Sequence, residues 1–269
     1  MNRKLLFVLA LVLIFCSHSL SQTGTKQRRP LPYEFGRVVL NNYSEKADLS
    51  PVVFEHWIHR SKFTCRVCHV DIGFAMKAGQ TGIKAADNER GYYCGACHNG
   101  KMIADGKPVF AACSNRRLSY GDQKQCDRCH SLGKKVASDF DFFAFSEPLP
   151  KERFGNGIDW EKSEAIGLIK PAAFLDGFSI PKHFLAAQKD FELNSKVEGM
   201  PDIIFSHKKH TVWNGCELCH PEIFMGVRKG NSRYTMVDIS EGKSCGVCHV
   251  TVAFPLTDCQ RCHTKSVQP

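Results

Sequence analysis

The sequence predicts a mostly irregular chain with short α-helices and little β-structure, wrapped around covalently attached groups instead of a layered hydrophobic core. Two observations predict it. The 269 residues contain 14 cysteines and 12 histidines, and twelve of the cysteines fall in six copies of Cys-x-x-Cys-His, a string expected by chance about 0.03 times at this composition. The six are Cys65-Arg66-Val67-Cys68-His69, Cys94-Gly95-Ala96-Cys97-His98, Cys126-Asp127-Arg128-Cys129-His130, Cys216-Glu217-Leu218-Cys219-His220, Cys245-Gly246-Val247-Cys248-His249 and Cys259-Gln260-Arg261-Cys262-His263. With residues 1–21 set aside, roughly 41 residues serve each motif, too few for a conventional two-layer core around each.

The motif is the attachment signature of c-type haem. Two thiols three residues apart on one turn add across the vinyl groups of one haem, and the adjacent histidine reaches the iron as proximal ligand. Twelve cysteines thus bind six covalently attached haem c groups, with His69, His98, His130, His220, His249 and His263 proximal. A zinc ribbon also pairs cysteines as Cys-x-x-Cys, but it gives no reason for a histidine after every pair. The fold class is that of a multihaem cytochrome c, in which porphyrins supply the packing. The thioether bonds restrain the unfolded chain and so offset the small protein core.

Residues 1–21 read as a secretory signal, with Arg3 and Lys4 as the basic start, Leu5 to Phe15 as the apolar run and Ser19-Leu20-Ser21 as a small-x-small cleavage site. Eleven apolar residues are too few for a membrane-spanning helix of about 20. Bulky Phe15 before Cys16 argues against a lipid anchor there. An exported protein without a transmembrane segment follows, located in the periplasm, with the outer surface as the other compatible compartment. The formal net charge of +9 does not point to nucleic acid. Losing Arg3 and Lys4 leaves +7, and the twelve propionates of six haems bring the holoprotein near −5 with ferrous iron and near +1 with ferric iron. The basic side chains are counter-ions of the cofactor.

Residues 54–98 align with residues 205–249 without a gap, a shift of 151, and 14 of 45 positions are identical. This is an internal duplication. It gives residues 22–50 as an N-terminal arm, 51–133 as a first three-motif domain, 134–200 as an extended inter-repeat segment and 201–269 as a second three-motif domain. The third motifs match in type, but 27 residues precede the first copy's and nine the second's. A weaker echo, Leu31-Pro32-Tyr33-Glu34-Phe35-Gly36 against residues 149–155, suggests a lead-in arm before each copy. The inter-repeat segment holds nine of the nineteen phenylalanines and reads as chain draped over apolar surface. Within it only Asp159 to Ile169 has an amphipathic pattern, with Asp159 placed to cap a helix.

Five histidines of the mature chain lie outside the motifs. His183 reads as an ordinary surface or core residue. His56, His59, His207 and His210 occur as Phe-x-His-x-x-His, nine and six residues before a motif in both copies. Spacing i, i+3 sets two imidazoles on neighbouring faces of one helical turn, able to reach two irons. In these residues the sequence resembles the triheme cytochromes of the c7 class, within the cytochrome c3 superfamily, and especially the c7-type domains strung together in nanowire cytochromes of metal-reducing bacteria. The resemblance covers residues 51–131 and 202–264. It implies that His56 is the distal ligand opposite His69, His59 opposite His98, His207 opposite His220 and His210 opposite His249. For the third haem it implies a methionine within Thr-Met-x-Asp, which here is Met236, facing His263, with Met225 in reserve. The first repeat departs from this pattern because Ala85 holds the aligned position. Met76, Met102 or His183 can substitute there, or the iron on His130 is open. Cys113, outside every motif, reads as a small buried hydrophobe.

Iron held by protein on both faces cannot bind substrate and can only accept and release electrons. The expectation is a monomeric electron carrier of anaerobic respiration whose partners are other redox proteins, cytochromes or periplasmic and outer-membrane electron-transfer complexes, met through small transient patches. A multihaem reductase or peroxidase is the alternative, and it needs an open haem with acid/base groups beside it, for which the third haem of domain 1 is the one candidate. A haem-dense filament subunit would need ligation or stacking between chains.

Overall fold

Turn residues keep every element of this chain short. The computed structural model describes residues 29–113, 123–181, 189–195, 197–226 and 230–265; the signal-like segment and His183 lie outside them. Met1–Pro30 separates as one unit and Leu31–Pro269 forms a second, compact one. The elements of the second unit are β1 (Arg37–Leu40), β2 (Val52–Glu55), α1 (His56–Arg60), α2 (Ala85–Glu89), β3 (Ile103–Ala104), β4 (Lys107–Pro108), α3 (Gln123–Cys126), α4 (Lys134–Asp139), α5 (Phe142–Ser146), α6 (Trp160–Ala165), β5 (Phe191–Leu193), β6 (Ile203–Phe205), α7 (His207–Asn214), α8 (Met236–Ser240) and α9 (Gly246–His249). Single 3₁₀ or π turns cover other motif segments. No described helix is long and apolar enough to cross a membrane.

The duplication is visible in the backbone. Strand β2 pairs antiparallel with β1, Val38 opposite Phe54, and β6 pairs the same way with β5, Phe191 opposite Phe205. Each inner strand runs straight into a helix that begins with histidine, α1 at His56 and α7 at His207. Further on, α2 and α8 pack against the second motif of their repeats. There Gly95 and Gly246 lie directly beneath the carbonyls of Asn88 and Ile239, so a Cβ at either glycine would run into backbone. Asn88 and Ile239 are themselves 151 residues apart, which makes the close approach a property of the repeat.

The structure locates the second lead-in arm differently from the sequence echo. The partner of β6 is β5, at 191–193, and residues 149–155 serve elsewhere. Leu149 is buried in the main cluster, and Gly155 lies against Phe35 and Pro255. The inter-repeat segment also differs from a draped chain, for its first part folds into α4, α5 and α6 and supplies most of the protein core. Trp57 of α1 packs with Phe142, Leu149, Ile158, Trp160 and Ile169, and Trp213 of α7 closes the cluster from the second repeat. Phe142 and Phe145 both pack on Trp57, and each large side chain buried here contributes about 1.5–3 kcal/mol. Helix α6 begins where expected, with the Asp159 carboxylate accepting from the Lys162 amide at 3.0 Å. It stops at Ala165 and not at Ile169, because Gly167 takes a φ of +76° and turns the chain.

Candidate functional site

The paired histidines are positioned by the strand that precedes them. In repeat one, Phe54 stacks on His59 at 4.3 Å between ring centroids and meets His56 edge-on at 4.9 Å; in repeat two, Phe205 stacks on His210 at 4.4 Å and meets His207 edge-on at 5.0 Å. The phenylalanine of Phe-x-His-x-x-His therefore fixes both imidazole planes. The outer strand then holds the first histidine of each pair. The His56 Nδ1 is 2.5 Å from the Gly36 carbonyl and the His207 Nδ1 is 3.3 Å from the Lys189 carbonyl, and these two acceptors occupy the same register position opposite the histidine.

Three of these rings face motif histidines across a gap. Centroids of His56 and His69 lie 6.5 Å apart with planes 10° from parallel, His59 and His98 lie 6.3 Å apart, and His210 and His249 lie 6.2 Å apart. Two imidazoles binding one metal from opposite sides, each through a nitrogen about 2 Å from it, hold their centroids about 6 Å apart. The residues present thus fit a haem iron between each pair. Among the described ring contacts, His207 meets Phe191 and Phe205 and not His220. No three described His, Cys, Asp or Glu side chains converge as a metal cage. None of the thirteen described cysteines forms a disulfide.

The tautomer is set as a metal ligand requires. Nδ1 of His59, His69, His210, His220 and His249 lies 2.8–3.3 Å from the carbonyls of Glu55, Phe74, Ser206, Phe224 and Phe254. A ring that donates through Nδ1 presents an unprotonated Nε2 to iron. His98 is the exception, since its Nδ1 is buried without a hydrogen bond; the Phe110 carbonyl favours the charged ring but lies outside hydrogen-bonding geometry. Burial pushes His56, His59 and His249 down to about 4 and lowers His69, His98 and His210, so these rings are neutral at pH 7. Burial likewise pushes the thiols of Cys68, Cys94 and Cys248 up to about 12.

The third motifs share an anchor despite their unequal spacers. His130 Nδ1 is 2.8 Å from the Ser50 carbonyl and His263 Nδ1 is 2.7 Å from the Pro201 carbonyl, and Ser50 and Pro201 are 151 residues apart. The 18 additional residues of repeat one therefore leave the seat of the third histidine unchanged. Met236 is the first residue of α8 and half-exposed, and Met225 is almost fully exposed. Met76, in a bend, and Met102, in irregular chain just before β3, are partly buried. Cys113 adopts a positive φ of 48° and sits near Cys94, Cys126 and Cys129, with burial raising its thiol.

Comparison with known families decides the identity. The family model described as "Cytochrome c7 and related cytochrome c" matches residues 52–131 and 203–264, more than half of the chain. The chain belongs to the cytochrome c7 family. Members of the cytochrome c7 family are multihaem electron carriers with covalently bound haem c. Among solved structures, the chain is similar to a "c7-type three-heme cytochrome domain" at 38% identity, over 29% of this chain and 95% of that one, with a TM-score of 0.26. It is also similar to the C-terminal and N-terminal hexaheme fragments of GSU1996, each at 24% identity and a TM-score of 0.24, covering 85% and 86% of this chain and 96% and 99% of theirs. No curated protein matches it. Sequence reasoning missed the backbone acceptors Gly36, Lys189, Ser50 and Pro201. Carbonyls carry no residue-type signal, and the repeat register relates Ser50 to Pro201 but not Gly36 to Lys189.

Proposed function

We propose that this cytochrome c7 protein is a periplasmic hexahaem c-type cytochrome that passes electrons between redox proteins in anaerobic respiration. The observation that carries this reading is the set of facing imidazoles, each about one iron's coordination span apart. A haem held on both faces supplies a one-electron ferric/ferrous couple and offers no position to a substrate. Cys65, Cys68, Cys94, Cys97, Cys126 and Cys129 attach three haems to the first domain, and Cys216, Cys219, Cys245, Cys248, Cys259 and Cys262 attach three to the second. His56 pairs with His69, His59 with His98, His207 with His220 and His210 with His249. Met236 takes the distal side of the haem on His263, and Met76 that of the haem on His130. The Nδ1 hydrogen bonds orient the rings and hold the Nε2 lone pairs toward iron. Partners dock through small patches, which suits transient exchange.

Intact mass in denaturant tests the reading, because thioether bonds survive unfolding. A mature chain heavier by six haems is expected, and fewer after competent maturation would reject it. Carbon monoxide added to the ferrous holoprotein is the second measurement. Six inert low-spin haems are expected; tight binding at the haem on His130 with turnover of a small substrate would make the protein an enzyme.

A further inference from the structure

We infer that Arg60 is a fixed positive charge at a junction between the two haem triads, acting on the haem attached at Cys65 and Cys68 and on the one attached at Cys245 and Cys248. The inference rests on the haem-binding reading above and adds to it a route between the halves.

Arg60 ends α1, directly after His59 and five residues before Cys65. Its side chain leaves its own repeat. Nη1 donates to the Val252 carbonyl at 3.3 Å, and the Val252 amide donates in turn to the Cys248 carbonyl at 3.0 Å. The guanidinium lies 4.7 Å from the ring centroid of Trp160 and 5.1 Å from that of Trp213, so the inter-repeat segment and the second repeat each give it an aromatic face. Nε is shut off from solvent and has no hydrogen-bond partner. Arginine is not deprotonated in proteins, and among the described residues Arg60 forms no ion pair. Glu164 of α6 is the acid that opposes its charge, and Arg261 adds a like charge. The aligned residue in repeat two is Thr211, so the cation occurs once per molecule.

A second contact places the first motif of repeat one at the same boundary. The Arg66 side chain lies against Gly215, where a Cβ would come within 2.9 Å of its Cδ, and Gly215 precedes Cys216. The first motif of repeat one in chain order therefore adjoins repeat two. A charge in so apolar a setting acts strongly on its neighbours. Arg60 favours whichever iron state carries less positive charge, the ferrous one, and so raises both junction potentials. One electron crossing here turns a ferrous donor iron ferric and a ferric acceptor iron ferrous, with no proton moved and no bond changed.

The test is a redox titration of the holoprotein with individual haems followed by nuclear or electron paramagnetic resonance, and the haem count fixed by mass. In Arg60→Met the ferric-to-ferrous ratio at a given ambient potential should rise about tenfold, 59 mV for a one-electron couple, at those two haems. The other four should change less than twofold. Arg60→Lys should restore most of the effect, which a packing role alone would not do. Glu164→Gln, at a partly exposed site, should shift the same two haems in the opposite direction. A uniform shift across all haems, no shift at the named pair, or Arg60→Lys matching Arg60→Met would overturn the inference. If Arg60→Met does not mature, the Glu164→Gln result decides alone, a shift at the pair supporting the inference and none overturning it. A wild-type mass below six haems would instead overturn the reading beneath.

Discussion

The two repeats share one cradle and differ in what surrounds it. Inner strand, phenylalanine, histidine pair, the glycine beneath the α2 or α8 carbonyl and the carbonyl anchor of the third histidine recur at a constant shift of 151 residues, and the outer strand recurs at a shift of 153. The differences lie elsewhere. Repeat one has Arg60 where repeat two has Thr211, Ala85 where repeat two has Met236, and a longer spacer before its third motif. A site that holds a cofactor by several independent contacts tolerates little local change. These differences fall outside the strand, phenylalanine, histidine and glycine positions that build the cradle.

The largest effect should come from the shared glycines. Gly95→Ala and Gly246→Ala each drive a Cβ into a backbone carbonyl that cannot move without shifting a helix, a clash expected to cost about 3 kcal/mol. Thermal unfolding of the two holoproteins should show similar losses. A loss confined to one repeat would break the equivalence. Next come the distal histidines. His59→Ala should convert the haem on His98 from low to high spin, and His210→Ala the haem on His249, while His56→Ala acts on the haem on His69. Paramagnetic resonance showing these assignments exchanged would refute the ligand map.

Much of this cradle was legible in the sequence because its parts are side chains at fixed spacing. Phe54, His56, His59 and the motif Cys65–His69 sit within one short stretch, and a second copy confirms their register. The arm of repeat two was not legible. Residues 189–193 reach β6 through backbone hydrogen bonds, which constrain residue type weakly, and the better-matching string at 149–155 is used for packing. Nor is the kind of core legible, because dense phenylalanine in a Pro- and Gly-containing segment fits both a draped chain and short helices. Trp57 and Trp213, one from each repeat, are what convert that segment into a core. Arg60 carried no sequence signal, since its partners are 100 and more residues away.

A methionine ligand at the α8 start would set the haem on His263 apart from the bis-histidine haems by a smaller amount. Thioether ligation favours ferrous iron over a second imidazole. If Met236 holds the haem on His263, that haem is reduced before the four bis-histidine haems, and Met236→His should lower its potential by on the order of 100 mV while five others stay near their starting values. Spectroelectrochemistry that finds the haem on His263 unmoved would remove Met236 from the ligand set.

The smallest effect separates α2 from α8 at their first turns. In α8 the capping box is complete: the Asp238 carboxylate accepts from the Thr235 amide at 2.9 Å, and the Thr235 hydroxyl accepts from the Asp238 amide at 3.1 Å. In α2 only half of it exists. Asp87 accepts from the Lys84 amide at 2.9 Å, but a lysine side chain has no acceptor to return the bond. Lys84→Thr supplies one, and an N-cap hydroxyl is worth about 1 kcal/mol. Against this stands the loss of the Lys84 ammonium above the Tyr43 ring, 5.6 Å from its centroid, an exposed cation–π contact of about 0.5 kcal/mol. The net gain should be about 0.5 kcal/mol, readable as a small rise in the holoprotein's melting temperature. Thr235→Lys should lose about twice that, because it removes the hydroxyl without gaining a ring. Equal and opposite shifts would mean that Tyr43 contributes nothing and that the two helix starts differ in the cap alone.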